Sequence, residues 1–435
     1  MSAAGSLLTA LRRPGAPGVA AGLARALVHQ RLAAIRDGLL SVEDYRGTRR
    51  FGVGSDLPPA SLRVIDPRFY GRVALSGSLG FAESYLRGEW TTDDLTSLLR
   101  LFARNVTRHG GGRWTDAALA RPLARLGHAL RANSRRGSHR NIQAHYDLGN
   151  EFYALFLDET MTYSCAVFAE TTSTLHEASV RKLDLVCRKL DLGPNHRVLE
   201  IGTGWGSFAI HAAKTYGCRV TTTTISEAQR QMALERVRAA GLSDRIEVLG
   251  TDYRDLSGTF DRLVSIEMIE AVGHANLPAY FRTCADRLRP DGAMLLQAIT
   301  MPDRDYQDYL ASVDYIQRYV FPGSSLPSLG AITRGVARTD LRVDHVESIS
   351  HHYGETLRRW RRAFTTRLAE VRALGFDERF VRLWTYYLCY CEAGFEERYV
   401  DNLQIVLARP GWETPARLRG ATDPRSAPSP HGGRA

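Results

Sequence analysis

Three glycines at alternate positions, Gly202, Gly204 and Gly206, follow the apolar run Arg197-Val-Leu-Glu-Ile201 and precede a helical pattern through Ser207, Phe208, Ile210 and Ala213. Glycines so placed serve a backbone that turns tightly and lets a ligand approach main-chain atoms. The spacing is Gly-x-Gly-x-Gly, not the dinucleotide spacing Gly-x-Gly-x-x-Gly. A dinucleotide site sets a helix N-terminus against a pyrophosphate, and Glu200, one residue before the first glycine, opposes such an anion. It suits a cationic ligand without phosphate, such as the sulfonium of S-adenosylmethionine. A strand-to-helix turn with no ligand is the plain alternative.

Two further strand ends point the same way. A nicotinamide enzyme closes its second strand with an acid for the ribose hydroxyls. Here Arg219-Val-Thr-Thr-Thr-Thr-Ile225 ends in Thr224 and Ser226, with Gln229 one turn into the next helix. Hydroxyls and an amide can serve a ribose, but the missing acid argues against a nicotinamide enzyme. The third strand ends in Thr251-Asp-Tyr253, where Asp252 can accept from an adenine amine and Tyr253 can pack on the base. A surface acid in a loop is the bland reading of Asp252. Its place at a strand's carboxyl end favours a ligand.

The elements that must hold these residues alternate. Strands are expected at Arg197–Ile201, Arg219–Thr224, Ile246–Gly250, Phe260–Ser265 and Ala293–Thr300. Helices are expected up to Tyr216, over Glu227–Ala240 and near Ala279–Leu288. That alternation predicts an α/β fold, a doubly wound parallel sheet with helices on both faces. Glu151–Leu157 and Thr174–Leu190 read as helices before it. Residues 355–400 read as helical and aromatic, either extra core or the wall of an apolar tunnel, and Gln404–Arg409 as a last strand.

Ahead of this lies a small α+β part. A basic helix Val19–Leu40, short strands Ser61–Ile65 and Gly71–Leu75, and a helix Thr92–Phe102 are expected. Residues 103–140 read as an arginine-rich linker ending in Arg131, Arg135, Arg136 and Arg140, or as a solvated charged helix. The division expected is a basic docking domain with linker over 1–140, a catalytic domain over 141–412 and a disordered tail over 413–435.

Charge divides along the same line. The 435 residues carry a net +10, and residues 1–140 hold 22 Lys+Arg against 10 Asp+Glu, so the excess is wholly N-terminal. Such asymmetry implies a polyanionic partner, nucleic acid or an anionic membrane. The arginine cluster lacks the stacking aromatics of a single-strand binder, which turns the reading from nucleic acid to a membrane surface. No run of about 18 apolar residues exists to span a bilayer. The first 36 residues, with Arg but no acid, fit an organellar transit peptide, a membrane-surface helix or a frayed tail. Six scattered cysteines without metal spacing fit a reducing cytoplasm and no metal site.

Read together, Gln143-x-His-Tyr-Asp-Leu-Gly-Asn150, Tyr163-Ser-Cys-Ala166, the glycine turn, Thr224-Ile-Ser-Glu-Ala-Gln229, Asp252-Tyr-Arg-Asp255, Ser265-Ile-Glu-Met-Ile-Glu-Ala-Val-Gly273, Tyr319-Val-Phe-Pro-Gly323, Leu326-Pro-Ser328 and Thr385-Tyr-Tyr-Leu388 resemble the cyclopropane-fatty-acid synthase family of S-adenosylmethionine-dependent methyltransferases, from about residue 141 to about 409. Leu79-Gly-Phe-Ala-Glu-Ser-Tyr-Leu-Arg-Gly-Glu-Trp90 resembles the N-terminal domain of full-length bacterial synthases. The resemblance implies a class I methyltransferase, Rossmann-like, with nucleoside contacts at Tyr163, Ser164, Gly202, Gly204, Thr224, Gln229, Asp252 and Tyr253. It implies a bicarbonate base held at Cys165, Glu270, Gln297, Ile299 and Tyr353. Thr203, Ala271 and Gln297 depart from the commoner Cys, His and His, and Gln cannot relay a proton. Cys165 reads as an ion-holding thiol rather than a nucleophile, since no base neighbours it in sequence. Glu270 orients the base or caps the following helix.

The implied reaction is methyl transfer to the cis double bond of an unsaturated phospholipid acyl chain. The chain becomes a carbocation, which Tyr353, Phe168 or Tyr387 can stabilise, and one proton then leaves. Immediate loss closes a cyclopropane ring; loss after a hydride shift gives a methylene branch. The glycine turn, Glu267–Gly273 and Gln297–Pro302 look closest to the actinobacterial branch that makes 10-methylene precursors of 10-methyl acids, and plant-type synthases share the Gln. The partners expected are the lipid, the inner membrane face, a reductase acting on the product and a second copy in a homodimer. An RNA methyltransferase and a non-catalytic lipid carrier are the rivals.

Overall fold

Residues 19–109 and 148–418 are described by a computed structural model of the protein. The segment 1–18, the arginine cluster at 131–140, the Gln143–Asp147 part of the first motif and the tail from 419 lie outside the described residues. Two compact units are resolved: 19–109 with Glu378–Tyr386, and 148–377 with 387–418.

The first unit runs α1 (Val19–Leu32), β1 (Gly38–Asp44), β2 (Gly47–Val53), β3 (Ala60–Val64), α2 (Arg68–Leu86), β4 (Trp90–Thr91) and α3 (Leu95–His109). Its sheet has the order β2-β1-β3-β4, with β1 and β3 parallel and the outer pairs antiparallel. The helix expected over Val19–Leu40 stops at Leu32; after a short turn, Gly38 at φ +107 opens β1, which buries Leu40 and Val42. Gly71–Leu75, expected as a strand, lies inside α2. Phe69, Tyr70 and Val73 are buried at helical spacing before a break at Gly77 (φ +56°), and that period overrides a local alternation; Gly80, Phe81 and Ser84 are buried after the break. Trp90 seals this core with its indole N–H on the Phe81 carbonyl at 3.0 Å.

The second unit begins with α4 (Asn150–Ala154) and α5 (Leu175–Lys189), whose first turn is closed by a Thr174/Glu177 capping box. The alternating part follows: β5 (Arg197–Ile201), α6 (Ser207–Tyr216), β6 (Arg219–Thr223), α7 (Glu227–Ala239), β7 (Ile246–Leu249), β8 (Phe260–Ile266), α8 (Leu277–Arg287) and β9 (Leu288–Thr300). After it come α9 (Asp303–Leu310), a π-helical turn Ile316–Val320, α10 (Leu329–Val336), β10 (Arg342–Ser348), α11 (His351–Thr366), α12 (Leu368–Ala373), α13 (Glu378–Glu396, which belongs to this unit from Tyr387) and β11 (Asp401–Ala408). The sheet order is β10-β11-β9-β8-β5-β6-β7, with β5 to β9 parallel and β11 and β10 antiparallel.

Alternate residues of each strand feed two cores. Val198, Val220, Val264 and Leu295 face α5, α6 and α7, while Leu199, Ile201, Leu263 and Leu296 face α8 and α10. The doubly wound sheet is therefore as expected. The polar edge strand β10, Arg342-Val-Asp-His-Val-Glu-Ser348, was not read, because it is largely exposed and carries no apolar run. Strand order reverses between β5 and β8, so the loops after these strands flank the crevice where such sheets bind ligands.

Candidate active site

The turn after β5 needs its glycines. Gly202, Gly204 and Gly206 have φ of +106°, +53° and +84°, a region that side chains disfavour. A Cβ at Gly202 would lie 3.2 Å from Met268, and one at Gly204 would meet no protein atom within 4 Å. Main chain there borders open space, as a nucleoside site requires. Beside it the Thr224 hydroxyl donates to Gln229 Oε1 at 3.1 Å, and both side chains are buried. Ser226 caps α7 by accepting from the Gln229 N–H.

Four of the expected cofactor-site residues, Glu200, Asp252, Tyr163 and Ser164, are engaged within the protein. The Glu200 carboxylate is buried and accepts from Thr222 Oγ1 at 2.6 Å, and burial pushes it up to about 8. Asp252 is paired with Arg254, which donates to it at 2.8 and 2.6 Å. The Tyr163 and Tyr387 hydroxyls bond each other at 2.8 Å. Tyr253 is half-buried, edge-on to Tyr280. Ser164 accepts from the buried Lys182 ammonium at 2.9 Å.

Past β8 the chain enters Glu267 in a left-handed conformation, φ +49°, an arrangement that costs of order 1–3 kcal/mol outside glycine. That turn brings one carboxylate under four donors. Oε1 accepts from the Cys165 N–H at 3.1 Å, Gln297 Nε2 at 2.8 Å and Asn402 Nδ2 at 2.6 Å. Oε2 accepts from the Tyr353 hydroxyl at 2.6 Å. The Tyr353 ring is stacked on Phe395 with centroids 4.3 Å apart. Burial holds this phenol well above its ordinary range, so it remains a donor.

Glu270 lies one turn on. Its Oε1 accepts from the Ile299 N–H at 2.6 Å, and its buried Oε2 has no partner. Burial first, then the Glu267 charge, pushes this carboxyl up to about 8, so it is largely neutral at pH 7. The alternative role of Glu270, capping the following helix, is not seen: neither the turn His274–Asn276 nor α8 has a side-chain cap.

The structure thus gathers all five residues expected around the base, Cys165, Glu270, Gln297, Ile299 and Tyr353. It also corrects one role. The Cys165 thiol points at the carbonyls of Ala166 and Ile349, at 3.3 and 3.7 Å, and burial pushes it well above its ordinary range. It is the Cys165 backbone N–H, and not its thiol, that meets the Glu267 carboxylate. Phe168, expected as a cation-stabilising face, already carries the Arg359 guanidinium 4.6 Å from its centroid.

Sequence reasoning passed over Glu267, Lys182, Asn402, Gln404 and Lys189. Burial lowers the Lys182 ammonium to about 8, against the opposing charges of Glu267, Cys165 and Glu200. Lys189 donates to Glu347 and, at 2.5 Å, to Gln404 Oε1; Gln404 in turn donates to Gln297 Oε1 at 2.9 Å. Signals existed. Lys182 and Lys189 fall in phase with the apolar stripe Ala178, Leu183, Val186 and Cys187, and amides interrupt two apolar strands. Glu267 stands at a strand's carboxyl end, where the switch-point rule looks first.

The family model described as mycolic acid cyclopropane synthetase matches residues 133–405. The tuberculostearic acid methyltransferase UfaA1 of Mycobacterium tuberculosis is 41% identical over 359 residues, 78% of this chain and 81% of that one. The cyclopropane-fatty-acyl-phospholipid synthase of Escherichia coli K12 is 36% identical over 353 residues, covering 81% of this chain and 88% of its own. Among solved structures, a mycolic acid cyclopropane synthase, CmaA1, complexed with SAH and CTAB superposes with a TM-score of 0.59 at 32% identity, over 62% of this chain and 98% of that chain.

Proposed function

This chain belongs to the mycolic acid cyclopropane synthetase family, and on that premise we propose that it methylates the cis double bond of phospholipid acyl chains to give a methylene-branched product. It is an S-adenosylmethionine-dependent methyltransferase, and the family methylates unsaturated fatty acyl chains. The observation that carries the finer reading is the likeness to a tuberculostearic acid methyltransferase along 78% of the chain. The substrate reading draws support from the likeness to a fatty-acyl-phospholipid synthase.

The residues present fit the methyl donor. The three left-handed glycines and the open space at Gly204 suit a nucleoside against main chain, and Thr224 and Gln229 offer polar groups for a ribose. S-adenosylmethionine supplies an electrophilic methyl. The protein must hold the alkene against it, keep water away and remove one proton. Tyr163, Tyr387, Tyr353 and Phe321 supply aromatic surface suited to a transient cation. A bicarbonate ion does not fit the donor set as it stands. Cys165, Gln297 and Tyr353 already donate to Glu267, and the Ile299 N–H donates to Glu270.

No helix among the described residues is long and apolar enough to cross a membrane. The basic excess of residues 1–140 supports docking on the inner face of an anionic bilayer. A methylene product needs a separate reductase to become a methyl branch. The function is tested by expressing the gene in a host with cis-unsaturated phospholipids, fed methyl-trideuterated methionine. The expected lipid keeps two deuterons in a methylene group, with vinylic signals by deuterium NMR. High-field ring signals would replace the methylene assignment with cyclopropanation, and unlabelled lipid would refute both.

A further inference from the structure

We propose that the Glu267 carboxylate is the catalytic base of the methylation, built into the chain where a bicarbonate ion was expected. The assignment rests on the function proposed above. It is carried by the convergence of four donors, from the Tyr163–Ala166 loop, β9, α11 and β11, on this one side chain.

The donors are unevenly shared. Oε1 takes three and Oε2 takes one. A carboxylate offers about four acceptor sites in all. Oε1 is therefore filled, and Oε2 keeps the lone pair that can receive a proton. The side chain is not fully buried, so that oxygen is not sealed in protein. The left-handed backbone at Glu267 is what folds the side chain back beneath Cys165 and Tyr353, and such conformations cluster where function requires them.

The chemistry asks for a base of this kind. The alkene electron pair forms a bond to the methyl carbon while the sulfur–methyl bond breaks, its electrons staying on the departing neutral thioether. The acyl chain is left a carbocation, whose adjacent protons are so acidic that a weak base suffices. What matters is that the base lies close and does not itself bond to the cation. Four hydrogen bonds tie up carboxylate electron density and blunt it as a nucleophile. Glu267 Oε2 then takes one proton from the new methyl group. The freed C–H pair closes a ring, or forms the C=CH2 bond if a hydride has moved first. The resulting carboxylic acid returns its proton to water after the product leaves.

The experiment uses full-length protein, vesicles of dioleoyl phosphatidylglycerol and labelled S-adenosylmethionine, in buffer stripped of carbon dioxide and with bicarbonate restored. Wild type should transfer methyl equally in both. Glu267→Gly should lose about 100- to 10,000-fold without bicarbonate and regain at least about tenfold with it, as the ion settles among the vacated donors. Glu267→Gln should lose as much and gain nothing, because its amide still fills the place. Calorimetric S-adenosylmethionine binding checks that the variants fold, and if the Gly variant fails, the isosteric Gln variant carries the test. A wild type that needs added bicarbonate, or a Gln variant at full activity, overturns the assignment alone. A wild type that binds S-adenosylmethionine yet methylates no cis-unsaturated vesicle removes the proposed function, and the assignment with it.

Discussion

Gln404 and Gln297 are partners across neighbouring antiparallel strands, and the Gln404 amide donates to Gln297 Oε1 at 2.9 Å. The direction of that bond is set elsewhere. Lys189 can only donate, and it donates to Gln404 Oε1. Gln404 must therefore turn its NH2 to Gln297, and Gln297 must turn its own NH2 to Glu267. A buried lysine on α5 thus orients a donor at the crevice without touching it.

Lys189→Met is expected to free both amides to flip. Gln404 Oε1 would lose its donor, a cost of roughly 1–3 kcal/mol for a buried acceptor. Thermal melting should report that loss. Turnover should fall about tenfold or more while S-adenosylmethionine affinity holds, since proton removal depends on a positioned base. Equal loss in turnover and cofactor affinity would show a general collapse instead of a misdirected amide.

Gln297→His tests product choice. Gln297 donates to Glu267 and accepts from Gln404, and neutral imidazole can do both only through ring nitrogens fixed on one rigid plane. Moving the base relative to the cation changes the race between proton loss and hydride shift. A difference of about 1.4 kcal/mol between those barriers changes the product ratio tenfold. NMR of the labelled lipid should show an altered ring-to-methylene ratio. An unchanged ratio would place the choice in how the acyl chain lies.

Gly204→Val separates cofactor contact from folding. No protein atom lies within 4 Å of the added Cβ, so the branch point itself meets open space. The +53° φ costs the fold roughly 1–2 kcal/mol or more for a branched residue. Affinity for S-adenosylmethionine should drop far more steeply than melting temperature. Unchanged affinity by calorimetry in a folded variant would remove the turn from the cofactor site.

Glu270 predicts a pH slope. Its folded value, about 8, lies above its unfolded value of 4.5. The native state therefore holds a proton that the unfolded state has released. Its stabilising effect is full below pH 4.5 and is lost as pH rises through about 8. Glu200, also raised to about 8, acts in the same sense. Lys182, lowered from 10.5 to about 8, acts oppositely, its contribution being present above 10.5 and lost as pH falls through about 8. Between pH 5 and 8 these two carboxyls contribute a decline in stability with rising pH, opposed below about pH 6.5 by His29 and His352, which burial lowers to about 4. Denaturant titrations of Glu270→Gln should show a shallower decline, and parallel curves would refute the buried neutral carboxyl.

The doubly wound sheet, its glycine turn and the strand ends around it could be read from sequence because each depends on local pattern. Strand and helix periods need only neighbours, and a Gly-x-Gly-x-Gly turn signals its positive φ by composition. Family motifs also named Cys165, Glu270, Gln297, Ile299 and Tyr353 before any of them had a position. Their wiring depended on contacts far apart in the chain. Cys165 reaches Glu267 across 102 residues, Tyr353 across 86 and Asn402 across 135. Only the packed sheet decides whether a backbone N–H or a thiol faces the crevice. Only it brings Glu378–Tyr386 into a unit with residues near the N-terminus. The identity of the group that fills the donor set was decided there as well. Four hydrogen bonds from four distant segments meet at one carboxylate because the fold, and no local spacing, brings them together.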